Sequence, residues 1–187
     1  MLAYHMQNNQ SGISFIEILV VLLLISIATS LFIPRFLSNK PRSAQKKFFT
    51  EFTTLIADTV FQAVKNKTVY QVYFDLNKHY IVVKRYNSKI ATDNKHLKFE
   101  PMPIDIFLNK INVPTAFTIQ NFFVQGKDEF TPGMKMNEAW FYIMTDGNSQ
   151  ALILNINDDS DNQETKFSIT INPFYSQVKL HDTFQKP

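Results

Sequence analysis

An α+β fold is predicted: a long N-terminal α-helix, membrane-spanning in its first half, packed on an antiparallel β-sheet or a two-sheet sandwich. Three observations carry this reading. The residues from Ile13 to Ile33 form an apolar run of helix length, the residues from Ser43 to Lys67 repeat their apolar side chains every three or four positions, and everything after Thr68 breaks into short Phe/Ile/Val-rich runs. Helix first and strands afterwards is the order of an α+β fold, whose helix covers one side of the sheet.

The first element reads ISFIEILVVLLLISIATSLFI, with Glu17 its one charge. At about 1.5 Å per residue such a helix matches the roughly 30 Å hydrocarbon core of a bilayer. A cleaved secretory signal would carry a basic start and a small-residue cleavage site after the apolar run. Here MLAYHMQNNQSG precedes the run without Lys or Arg, and no small-x-small site follows it. The segment therefore reads as a retained membrane helix over 13–34. A carboxylate at mid-bilayer costs about 3 kcal/mol, so Glu17 has a partner, a hydrated position near the headgroups, or a job.

The second element, 35–67, continues the stem. Phe48, Phe49, Phe52, Leu55, Ile56, Val60, Ala63 and Val64 make one buried face of an amphipathic helix. Pro34 removes a helical hydrogen bond and invites a kink at the membrane exit.

From 68 to 187 the period is that of strands. Thr68–Asp75 and Tyr80–Tyr86 flank Asn77-Lys78 as a hairpin, and Phe117–Val124, Ala139–Thr145, Ala151–Asn157, Lys166–Asn172 and Gln177–Leu180 add five runs. Asp146-Gly147-Asn148 is a turn signal, and Asp158 to Glu164 reads as another. The stretch Asn87–Asn137, with Pro101, Pro103, Pro114 and Pro132, is otherwise irregular.

Composition excludes much chemistry. No cysteine is present, so disulfides, iron–sulfur clusters and thiolate zinc sites are ruled out. His5, His79, His96 and His181 lack ligand spacing, and four glycines leave no phosphate loop or dinucleotide fingerprint. No catalytic residue, metal site or cofactor is expected. The acidic run Asp158, Asp159, Asp161, Glu164 has oxygen ligands suited to Ca²⁺ but neither the glycine nor the spacing of an EF-hand loop. Lys65, Lys67, Lys84 and Arg85, interleaved with tyrosines, are the one patch that could meet phosphates. A net charge of +3 does not by itself mark a nucleic-acid binder.

The string Ser11-Gly12-Ile13-Ser14-Phe15-Ile16-Glu17, followed at once by the apolar run, resembles the type III signal of type IV pilins and type II secretion pseudopilins. The resemblance implies a leader over 1–12, cleavage by a prepilin peptidase between Gly12 and Ile13, and N-methylation of Ile13. Glu17 becomes the fifth mature residue, the family's assembly residue, and Pro34 falls where pilin helices often carry a proline. The physics agrees: cleavage creates a protonated α-amino group at Ile13, and Glu17 of one subunit can pair with that amine on a neighbour, rewarding axial register.

Later motifs narrow the resemblance. Tyr142-Ile143-Met144-Thr145-Asp146-Gly147 and Ile169-Thr170-Ile171-Asn172-Pro173-Phe174-Tyr175-Ser176-Gln177-Val178 look like the "F-x-x-D-G" hairpin and closing "I-x-I-N-P-x-T-G-x-V" of H-type minor pseudopilins and FimT-type minor pilins. Tyr175-Ser176 stands where the family has Thr-Gly, and Gln10-Ser11 where its leaders carry a base.

A minor pseudopilin of a type II secretion system is thereby implied, near the pseudopilus tip. Its partners would be other pseudopilins, the prepilin peptidase and an inner-membrane assembly platform, and not nucleic acid. The nearest alternative is a minor pilin of a type IV pilus, of the DNA-binding kind. Arg35, Lys40, Arg42, Lys46 and Lys47 follow the span and, counted alone, would keep the β-rich domain in the cytoplasm. The resemblance places it in the periplasm, with the helix in the inner membrane.

Overall fold

Two helices precede ten strands in the computed structural model, which describes residues 15–37, 42–90, 98–102, 107–130, 136–160 and 164–187. The chain divides into two units, Met1–Lys40 and Pro41–Pro187. In the first unit, α1 spans Phe15–Leu37 and continues through Pro34. In the second, α2 spans Arg42–Asn66. The expected single stem over 13–67 thus meets two helices, and 38–41 between them lie outside the described residues.

The second unit is a two-sheet sandwich with α2 packed against it. One sheet has the order β3-β2-β1-β7, with β4 also pairing β2; the other runs β10-β9-β8-β5-β6. The strands are β1 Tyr70–Asp75, β2 Tyr80–Tyr86, β3 Phe99–Pro101, β4 Lys110–Asn112, β5 Phe117–Val124, β6 Lys127–Asp128, β7 Glu138–Ile143, β8 Leu152–Asp158, β9 Thr165–Ile171 and β10 Val178–His181. All pairings are antiparallel. The seven expected strands are present within two residues at each end. The irregular stretch 87–137 adds β3, β4 and β6, each too short to show a period.

Alternation places the core. Val72, Phe74, Ile81, Val83, Ala139 and Phe141 point inward from the first sheet, and Leu152, Leu154, Ile156, Phe167, Ile169 and Ile171 from the second; all are buried. In β5 both Phe117 and Phe122 are buried although their positions differ in parity. A bulge between Ile119 and Asn121 leaves Gln120 unpaired and flips the register, so both rings reach the core.

Helix α2 buries Phe48, Phe52, Leu55, Ile56 and Ala63, whereas Val64 is 40% exposed and lies at the edge of the face assigned to it. Thr59 is fully buried and gives its hydroxyl to the Leu55 carbonyl at 2.6 Å, the only cheap way to sink a hydroxyl into a helix interface. The helix ends at Lys67, whose φ of 50° is left-handed, and Thr68 N–H bonds back to the Ala63 carbonyl at 3.3 Å.

The last residues form a strap. Asn155 is 3% exposed on β8; its side-chain amide donates to the Gln185 carbonyl at 3.0 Å and its oxygen accepts the Gln185 N–H at 3.0 Å. Ser168 of β9 donates to the Thr183 carbonyl at 2.7 Å. The segment after β10 therefore crosses the outer face of the second sheet, held by polar side chains that its presence satisfies.

Candidate functional site

The residues singled out for processing and assembly sit at the N-terminal end. Gly12 and Ile13 lie outside the described residues. Glu17 occupies the first turn of α1, where the positive end of the helix dipole favours a carboxylate. From Phe15 to Leu24 the large apolar side chains are about half exposed or more, as are Ile25 and Ile27. A helix apolar on every side is one meant for burial in lipid or in a bundle. Among the described residues no helix is long and apolar enough to cross a membrane. Side chains of α1 are described as far as 27, so 28–33 of the apolar run 18–33 lie outside the described residues. Pro34 is helical in backbone, and its side chain likewise lies outside.

A second feature comes from the two motifs near the end of the chain, which the fold brings into contact. The turn between β7 and β8 closes with the Gly147 N–H on the Met144 carbonyl at 3.0 Å and the Met144 N–H on the Asn148 carbonyl at 2.7 Å. Gly147 has φ +87°, and a Cβ there would lie 3.1 Å from Val64 Cγ2 and 3.5 Å from Val60 Cγ1. The glycine is thus required twice, by its backbone and by the approach of α2. The loop between β9 and β10 docks on the same turn: Ser149 N–H bonds to the Pro173 carbonyl at 2.9 Å, and Ser176 Oγ donates to the Gly147 carbonyl at 2.8 Å. The two motifs form one joint linking both sheets and α2.

Ser176 itself has φ 48°, a left-handed conformation that glycine adopts at no cost. The departure from Thr-Gly therefore keeps the glycine backbone and adds a hydroxyl bond. Ser176→Ala should retain the strain and lose the bond, lowering stability by about 1 kcal/mol. Ser176→Gly should lose both together and stay near the parent. Urea midpoints of the two variants give the comparison.

The remaining candidates are occupied by structural duties. Asp158 is 4% exposed and its Oδ1 accepts the Ser160 N–H at 2.9 Å together with the Ser160 hydroxyl. It caps its own turn; Asp161 of the acidic run lies outside the described residues, among which no three acidic or histidine side chains gather as a metal site. Arg85 pairs with Glu100 at 2.9 Å, and Lys84 Nζ lies 3.3 Å from the centre of the Tyr73 ring. With Lys65 Nζ 5.8 Å from the centre of the Phe61 ring, three of the four basic residues considered for phosphate contact are engaged within the fold. The Glu100 carboxyl is held below the usual range by hydrogen bonds from Asn87 and Arg85. A cavity of about 300 Å³ between the sheets is lined by Phe74, Val113, Phe117, Ile119 and Phe130, with Asp75 and His79 at its rim. Asp75 accepts the Lys78 N–H at 2.9 Å as part of the β1–β2 turn.

A helix over two antiparallel sheets matches a pseudopilin fold. Solved structures that share it include the minor pseudopilin EpsH from the Type 2 Secretion System of Vibrio cholerae. It is 13% identical, with a TM-score of 0.54 over 78% of this chain and 100% of that one. A second crystal structure of EpsH is 11% identical, with a TM-score of 0.54 over 78% of this chain and 99% of that one. No family model matches the chain, and no curated protein sequence does.

Proposed function

We propose that this chain is a minor pseudopilin of a type II secretion system. On this reading it is made with a leader over 1–12, cut after Gly12, N-methylated at Ile13 and held in the inner membrane by 13–34. Its β-rich domain faces the periplasm. It joins the pseudopilus near the tip, beside other pseudopilins and above the assembly platform, and supports protein export across the outer membrane. The role is structural and needs no active site.

One observation carries the reading: a sandwich similar to the whole solved chain of a minor pseudopilin follows an apolar helix bearing a single carboxylate in its first turn. The side-chain pattern supplies the reason. Apolar surface on every side of the first helix drives it into lipid or a bundle, and Glu17 makes one axial register better than the others.

The test is the mass of the N-terminal peptide after co-expression with a prepilin peptidase. A terminus at Ile13, heavier by one methyl group, is the expected result. An intact Met1 terminus would remove the processing step and, with it, the free amine that Glu17 is proposed to meet.

A further inference from the structure

The aromatic residues of the first sheet divide between its two faces, with Tyr70, Phe74 and Phe141 buried on the inner one. Phenylalanines fill the core, where Phe74, Phe122, Phe141 and Phe167 are all but sealed, whereas Tyr73, Tyr80, Tyr86, Trp140 and Tyr142 stand on the outer face of the first sheet. That face carries four of the seven tyrosines and the only tryptophan, with Phe99 joining them from β3. A strand face turned to solvent ordinarily alternates to polar side chains, so six rings on one face require an account. Amphipathic rings gather where one side must be apolar and the rim must hydrogen-bond.

The rings are fixed in place. Register sets Trp140 beside Tyr73 and Tyr142 beside Gln71. Tyr86 and Phe99 meet at 5.5 Å between centroids and Phe99 and Tyr142 at 5.4 Å, roofing Gln71, which is 2% exposed. The Trp140 indole N–H and Gln71 bond to the Tyr142 hydroxyl, and Tyr73 donates its hydroxyl to Glu138. Lys84 and Lys110 lie over the Tyr73 and Tyr80 rings, at 3.3 and 4.4 Å from their centres. These cations occupy the ring faces that a cationic ligand would seek.

Charge decides which ligand remains. Among the described residues of this face, Lys84 and Lys110 are matched by Asp75 and Glu138, and at the rim Arg85 is neutralised by Glu100. A polyanion needs surplus positive charge, which the face lacks. What it offers is partly exposed aromatic surface, at Tyr86, Phe99, Trp140 and Tyr142, interspersed with donors and acceptors. The electron-rich ring faces suit the C–H face of a pyranose, and the polar side chains between them suit its hydroxyls. We propose that the outer face of the first sheet is a binding platform for an uncharged polysaccharide, with Trp140, Tyr142, Phe99 and Tyr86 as the stacking surface. The proposal stands apart from the secretion reading and rests on no part of the N-terminal helix.

The experiment uses the full chain, purified in a detergent without a sugar headgroup. It is titrated with cellohexaose and with chitohexaose while the emission of Trp140 is followed, and calorimetry gives a second readout independent of the fluorophore. A saturable response to at least one hexasaccharide is expected, with a dissociation constant unchanged between low and high salt. Tyr142→Ala and Phe99→Ala should each weaken it about tenfold, with thermal unfolding checked so that a misfolded variant is not counted. Lys179→Ala, on the other sheet, should change nothing. Silence in both readouts with both sugars at millimolar concentration overturns the proposal, as does equal weakening by Lys179→Ala. A response confined to oligothymidylate that fades with salt also overturns it and assigns the face to nucleic acid.

Discussion

Glu17→Ala should yield a chain that is inserted and processed like the parent yet absent from assembled fibres, and secretion in a deletion background should fall to the level of the empty strain. On the proposed reading the carboxylate has no part in making the helix: alanine is the better helix former and the more apolar residue, so insertion is, if anything, eased. What disappears is the group able to meet a neighbour's terminal amine. Packing among apolar helices is nearly indifferent to sliding, because each presents the same aliphatic surface at every level. A buried charge pair is not indifferent: breaking it by removing one partner costs about 3–5 kcal/mol through the charge left behind. The discriminating measurement pairs a fibre-assembly assay with the N-terminal mass. Wild-type secretion by the processed variant would remove Glu17 from the mechanism.

Phe74→Ala should be the most damaging single change in the sandwich. The ring is 1% exposed and touches each of the three layers: Phe52 of α2 at 6.2 Å, Phe141 of the first sheet at 6.3 Å and Phe122 of the second at 5.0 Å, the last nearly edge-on at 86°. Truncation removes the transfer free energy of the ring and leaves a void that helix and sheets cannot all close upon, a loss of about 3–5 kcal/mol. That is a large part of the 5–15 kcal/mol by which an ordinary domain is stable. The urea midpoint should fall steeply with its slope unchanged. Phe99→Ala, on the outer face, should cost much less because water already reaches that ring.

Legibility in the sequence followed the length and regularity of each segment. Most of helix α2 is legible because its apolar spacing persists from Phe48 to Val64, although the element expected over 35–67 begins at Arg42, and β2 and β5 are legible because alternation or an unbroken β-rich run marks them. The bulge in β5 was not, since Phe117, Ile119, Phe122 and Val124 look like an ordinary run until pairing shows that Gln120 has no opposite. Strands β3 and β4 escaped because each is three residues long and owes its pairing to the edge of β2, a tertiary cause with no local signature. Of the N-terminal site, Glu17 and Pro34 lie within α1, while their roles, like those of Gly12 and Ile13, rest on the motif alone. The joint at Gly147 and Ser176 was half visible: both motifs stood out, but only the fold brings their loops together. The aromatic face was passed over because Tyr73, Tyr86 and Trp140 read as ordinary strand formers, and their common side emerges only when β1, β2, β3 and β7 are laid in register.

The order of the strands has a consequence for how the domain comes together. Tyr70 at the head of β1 pairs with Ile143 of β7, and the chain between them contributes β5 to the opposite sheet before returning. Neither sheet is therefore a continuous stretch of sequence, and neither can finish while the other is open. Three of the eight pairings, β1–β7, β2–β4 and β5–β8, join strands that are not neighbours in sequence, which places folding in the slow regime of milliseconds to seconds typical of such topologies. Interleaving also ties the sheets together: a cut between β5 and β7 severs strands of both sheets from their partners, so the sandwich should melt as one unit, with fluorescence and circular dichroism reporting the same midpoint.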